Sequence, residues 1–193
     1  MMRLTTIIEK WRNVNDGTRL LLESIIVPEV QLALKDWFKN ANNNYVLIGG
    51  LALSYYGIPR YTQDVDVLFP NRNSIPVEVL GFKQHRLGAF QHNRTHVEVE
   101  VVSSESFTTI SPQMVEAVFE TSIESKDGVR IASKSGLIAL KAEANRSGAK
   151  HAQDIADIVH LIELGDINLS PFPLSKEAKQ LIDSVCAQYK LNL

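Results

Sequence analysis

The sequence predicts an α+β (α/β) fold: a mixed β-sheet flanked by helices, with a helical N-terminal flank and a helical C-terminal part. Three observations carry that expectation. Short apolar runs bounded by Gly, Pro and Asn fill the centre of the chain, where strands are expected. Apolar residues at helical spacing precede that centre and return after Ser133. Two turn signals, His92-Asn93-Arg94 and Lys126-Asp127-Gly128, each separate a pair of strand-like runs. The expected division is therefore 1–44 as helical flank, 45–133 as core, and 134–193 as a helical region packed on the core.

A chain of 193 residues suits one domain with a helical extension, and it can bury roughly 70% of its unfolded surface without a disulfide or structural metal. Hydrophobic residues make up 45% and charged residues 22%, an ordinary globular balance. A net charge of −2 argues against an extended basic surface for nucleic acid, though not against a local basic patch. The single cysteine, Cys186, cannot form an internal disulfide and suits a reducing compartment. No apolar stretch is long enough for a membrane span or a signal peptide, so a cytoplasmic protein without membrane association is expected.

Thr18–Ile26 and Glu29–Lys39 read as helices, with Pro28 in the first turn of the second. Tyr45–Ile48 reads as a short buried strand, ended by Gly49-Gly50, and Leu51–Tyr56 as a short helix stopped by Gly57 and Pro59. Val65–Phe69 is the next strand. Residues 71–87 show no clear pattern. Ala89–Gln91 and His96–Val102 read as a strand pair, Pro112–Phe119 as a helix, and Ser122–Glu124 with Val129–Ala132 as a second pair. Gly136–Asn145, His151–Leu164 and Ser175–Tyr189 are the C-terminal helices.

Within this order, "GGLALSYYGIPRYTQDVDVLF" (49–69) holds the chemistry. Side chains at i and i+2 of a strand share a face and stand about 6.5–7 Å apart along it. Asp64 and Asp66 therefore project together, with Val65 and Val67 on the core side. Two such carboxylates both stay ionised only beside positive charge, and a divalent ion with a preference for oxygen, Mg²⁺ or Mn²⁺, supplies it. A structural salt bridge at Asp66 is the plainer alternative. Gly49-Gly50, between strand and helix, lets backbone N–H groups approach an anion closely. Two-metal chemistry asks for a third acid, and Thr95–Val102 offers Glu98 and Glu100 on one strand face. Glu100, with the longer apolar continuation beyond it, is favoured, and Glu98 is nearly as good.

Strand, Gly-Gly, helix, D-x-D and a third acid on a later strand together resemble the minimal nucleotidyltransferase fold of the DNA polymerase β superfamily. The string "GGLALSYYGIPRYTQDVDV", with Arg60 and Thr62 before the aspartates, resembles the AbiEii-type toxin branch and its uncharacterised relatives. "LKAEANRSGAKHAQDIADIVHLI" adds the lysine, arginine and aspartate of that branch at Lys141, Arg146 and Asp154, with Asp157 one turn on. Leu51 stands where many members carry Ser, the third acid is Glu, and Gln153 precedes Asp154 where Lys is common.

The resemblance implies transfer of a nucleoside monophosphate from an NTP to an acceptor, an RNA such as tRNA or a protein hydroxyl. It also implies a toxin with an antitoxin partner. Asp64, Asp66 and Glu100 (or Glu98) would hold Mg²⁺ or Mn²⁺; Gly49, Gly50, Arg60, Thr62, Lys141 and Arg146 would hold the nucleotide. Lys141 would neutralise triphosphate charge. Asp154 would position Lys141 or assist the acceptor, unless it is simply a helix N-cap. Two alternatives stand beside this reading: a catalytically silent or antitoxin-like module, and a transferase acting on a small molecule such as an antibiotic. His85, His92 and His96 show no zinc-ligand spacing, and Trp11, Trp37 and Cys186 read as packing residues.

Overall fold

The computed structural model describes residues 27–42, 44–58, 60–86, 88–104, 110–125, 128–144 and 147–193. The expected helix Thr18–Ile26, Trp11, the turn residues Lys126 and Asp127, and Arg146 lie outside them.

The first described helix, α1 (Pro28–Asn40), has proline in its first turn and buries Val30, Ala33, Leu34 and Trp37, the i, i+3, i+4, i+7 stripe of an amphipathic helix. The chain continues through β1 (Val46–Leu47), α2 (Gly49–Tyr55) and β2 (Asp64–Leu68), then a 3₁₀ turn at Arg72–Ser74. Next come β3 (Phe82–Arg86), β4 (Ala89–His92), β5 (Glu98–Val102), α3 (Pro112–Thr121), β6 (Ile123–Glu124) and β7 (Arg130–Ile131). Three helices follow: α4 (Lys134–Glu143), α5 (Gly148–Glu163) and α6 (Lys176–Tyr189).

The strands form one mixed sheet of seven in the order β3-β4-β5-β2-β1-β7-β6, so the fold is α+β. The central strand β2 runs parallel to β5 and antiparallel to β1, and β1 runs parallel to β7. Serines cap the helices around this sheet. Ser111, Ser133 and Ser175 each accept a hydrogen bond from the backbone N–H three residues on, which satisfies an otherwise orphaned donor. α4 is buried nearly all round, from Ser135 to Leu140 and at Ala142, because it packs between α3, α5 and α6. A single hydrophobic cluster runs from Val30 in α1 through the strands to Val185 in α6.

The strand β3 is not expected from the sequence. Of its five residues only Phe82 is buried, while Lys83 to Arg86 are exposed, so no apolar alternation marks it. Its pairing with β4 makes it a strand, and its exposed charge suits a sheet edge. Phe82 also meets the fully buried Trp37 edge-on, with ring centroids 5.2 Å apart, and Phe90 of β4 lies 5.5 Å from the same indole. Trp37 thereby clamps α1 to the β3–β4 pair, as the packing expectation for it required.

A polar clasp sits beside this aromatic group. His92 is buried, with Nε2 3.1 Å from Asp36 Oδ2 and Nδ1 2.7 Å from Thr95 Oγ1, and Arg94 donates to the same Asp36 oxygen at 2.6 Å. The clasp joins the β4–β5 turn to α1 and gives His92 a structural role. Burial pushes the Asp36 carboxyl up, but hydrogen bonds from Arg94 and His92, with their charges, outweigh it and hold it below the usual value. A carboxylate with a lowered folded-state pKa adds stability above its unfolded pKa of about 4, and that stability is lost as pH falls through the folded value. The stability gap between wild type and Asp36→Asn in urea titrations is therefore expected to be full at pH 7 and to close below about pH 4. A gap independent of pH would show that the charge on Asp36 contributes nothing.

Candidate functional site

Because β2 and β5 are parallel and in register, Asp64 lies opposite Glu98 and Asp66 opposite Glu100. Alternation then sends all four carboxylates to one face and Val65, Val67, Val99 and Val101 to the buried one. Asp64 is exposed, while Asp66 and Glu100 are half-buried. One carboxylate oxygen from each of Asp64, Asp66 and Glu100 lies within 4.8 Å of the others, close enough to hold a metal ion. The two glutamates thus part company. Glu98 is outside this group: the Arg86 guanidinium binds its carboxylate, and His85 Nε2 lies 4.0 Å from it. Arg86 also reaches Glu100 Oε1 at 3.2 Å, and its bonds to Glu98 and then Glu100 raise the guanidinium pKa above its ordinary value.

Local backbone explains why both aspartates can stand where they do. Gly49, the first residue of α2, has φ +66°, and a Cβ there would lie 1.9 Å from Asp66 Oδ2. Its missing side chain makes room for the Asp66 carboxylate, a more specific reason than close approach to a ligand. Gly50 is packed against Thr62, whose Cβ would be 3.2 Å from an added methyl. The Thr62 hydroxyl is turned onto Asp64, 2.9 Å from Oδ1 and 3.1 Å from the backbone oxygen. Thr62, one of the residues expected to hold nucleotide, thereby orients an acid at the edge of the site.

The opposite wall comes from the C-terminal helices. Lys141 Nζ of α4 donates to Asp154 Oδ1 at 2.9 Å and to Asp157 Oδ2 at 2.6 Å, both on α5. Arg60, in the loop before β2, pairs with Asp157 Oδ1 at 3.1 Å. The two aspartates are 4% and 2% exposed, and buried charges of this kind persist only when paired. The N-cap of α5 is Ser147, so Asp154, two turns inside the helix, is not a cap. Its side chain accepts the hydrogen bond from Lys141.

Sheet and helices enclose an open cleft of about 810 Å³, within the size range of small-molecule sites. It brings together Gly49, Gly50, Arg60, Thr62, Asp64, Asp66, Glu100, Lys141 and Asp154 of the expected residues. Glu98 is not among its lining residues, and Arg146 lies outside the described ones. Tyr61, Arg86, Lys150 and Gln153 line it without having been expected. Asp157 could have been ranked with Asp154 from its position one helical turn on. Nothing in the sequence marks Arg86, whose direction is set by an irregular pairing between β3 and β4.

Among the described residues this carboxylate group stands out as the cluster able to hold a metal, and no helix there is long and apolar enough to cross a membrane. Neither a scan against protein-family models nor a search of curated proteins finds a match to this chain.

Gly49→Ala is expected to cost about 2–4 kcal/mol in denaturant melts, combining left-handed strain with displacement of Asp66. Gly50→Ala, facing only the movable Thr62 side chain, is expected to cost about 1 kcal/mol or less. Equal costs at the two positions would contradict the steric account.

Proposed function

We propose that the cleft is the active site of a divalent-metal-dependent nucleotidyltransferase that moves a nucleoside monophosphate from an NTP to an acceptor hydroxyl. The observation that carries this reading is the convergence of Asp64, Asp66 and Glu100 at a cleft whose far wall presents Lys141. The donor set is entirely carboxylate oxygen, which suits Mg²⁺ or Mn²⁺ and not a softer metal. When bound, the metal would neutralise phosphate charge and favour the ionised acceptor hydroxyl.

The residues then divide the work. Asp64, Asp66 and Glu100 would hold the metal, with Thr62 fixing Asp64 and Gly49 leaving space for Asp66. Asp154 and Asp157 take two of the three N–H donors of Lys141, which orients the ammonium and leaves one donor for a phosphate oxygen. In the reaction the acceptor oxygen bonds to the α-phosphorus, the bond from that phosphorus to the bridging oxygen breaks, and pyrophosphate leaves. The hydroxyl proton passes to a carboxylate oxygen of the cluster.

Placement in the DNA polymerase β superfamily and its AbiEii-type branch rests on the sequence motifs, and so do an RNA, tRNA or protein acceptor and an antitoxin partner; a cytoplasmic location rests on the single cysteine and the lack of a long apolar stretch. The acid face and the Lys141–Asp154 pair are arranged as that resemblance requires, which supports it.

Thermal stability with each NTP, with and without Mg²⁺ or Mn²⁺, tests the proposal. Ligand at about 100-fold over its Kd adds about 2.7 kcal/mol, a clear rise in Tm. The rise is expected to need both metal and NTP and to vanish in Asp64→Asn/Asp66→Asn. No rise with any NTP, or one indifferent to metal, would favour a silent binding module. If the rise is present, acceptor screening separates an RNA or protein target from a small molecule.

A further inference from the structure

Four carboxylates share one face of β2 and β5, and the side chain that pairs with two of them, Glu98 and Glu100, comes from neither strand. Arg86 closes β3, where the pairing with β4 shifts between Gln84 and Arg86. Such an irregularity redirects side chains at a strand end, and here the consecutive residues His85 and Arg86 both reach Glu98. The same guanidinium nitrogen lies 3.2 Å from Glu100, the acid that also belongs to the metal-competent group.

We propose that Arg86 is a built-in counter-ion of the acid cluster, displaced from Glu100 when a divalent cation binds, and that it thereby sets how tightly the site holds its metal. This inference rests on the metal-binding reading above. A guanidinium and a metal ion compete for the Glu100 carboxylate and repel each other across it. Arg86 is free to give way because its side chain is 53% exposed, so leaving Glu100 removes little packing. Glu98 completes the device. It stands outside the metal group and keeps Arg86 paired after Glu100 is surrendered, so the metal displaces one half of a shared contact instead of a whole ion pair. Arg86 is a positioning residue, acting on the metal site through Glu100.

The test is Mn²⁺ affinity, read from the electron paramagnetic resonance of free Mn²⁺, with Tm measured in EDTA and in Mn²⁺. Wild type, Arg86→Gln, Glu98→Gln and the double variant are compared. Arg86→Gln is expected to lower Tm in EDTA, because Glu98 and Glu100 lose their shared cation, yet to bind Mn²⁺ about three- to tenfold more tightly at low salt. Glu98→Gln is expected to weaken Mn²⁺ binding, because Arg86 then settles wholly on Glu100, and to do so far less when Arg86 is absent. Wild-type binding that is unchanged or weakened by Arg86→Gln overturns the inference and leaves the metal site standing; a purely structural ion pair would give that result with the fall in Tm alone. Should Arg86→Gln fail to fold, Glu98→Gln with unchanged or tighter binding overturns it equally. Absence of Mn²⁺ binding in wild type overturns the metal site and the inference together.

Discussion

The in-register parallel pairing of β2 with β5 decides what the cleft can be. Strand side chains alternate with a period of two, so a slip of one residue would turn the acids of the slipped strand into the core and its valines out of it. The register is enforced from the apolar side. Val65, Val67 and Val99 are fully buried in the common core, and a one-residue slip would take the valines of the slipped strand out of it. The acids are therefore brought together as a consequence of hydrophobic packing on the opposite face, and their mutual repulsion is a cost that the core absorbs. Gly49 and Thr62 refine that placement, one by leaving a void for a carboxylate and the other by donating a hydrogen bond to one.

A second constraint joins the sheet to the helices. Arg60, Asp157, Lys141 and Asp154 form a balanced chain of two cations and two anions, mostly buried, between the loop ahead of β2 and helices α4 and α5. Removing any one member leaves the network with an unbalanced charge, which in buried settings is more damaging than never having had the pair. The network thus holds the loop that carries Thr62 against the wall that carries Lys141. The C-terminal helices belong to the site as fully as the strands do.

Much of this could be read in the sequence, for identifiable reasons. D-x-D inside an apolar run forces two acids onto one face whatever the tertiary structure, and E-V-E does the same on β5. Asp154 and Asp157 sit on a strongly patterned helix, where position fixes direction, and Lys141 is the basic residue in the last turn of the otherwise buried α4. What escaped has the opposite character. β3 has one buried residue and gains its conformation from its partner strand, so no local pattern reveals it. Arg86 comes from beside an irregular pairing of β3 with β4, and the choice between Glu98 and Glu100 depends on distances across two strands. The bond from the Thr62 hydroxyl to Asp64 has no signature in the sequence. The Asp36–His92 clasp links positions 56 residues apart. Each of these depends on a contact between elements that the sequence does not place side by side.

The central claim is that Asp64, Asp66 and Glu100 form a single divalent-cation site. Anomalous diffraction from crystals soaked in Mn²⁺ tests it most directly. The account predicts an anomalous peak bonded to carboxylate oxygens of all three residues, with Glu98 still turned toward Arg86. A peak liganded by Glu98 in place of Glu100, or no peak on this face of the sheet at saturating Mn²⁺, would contradict it.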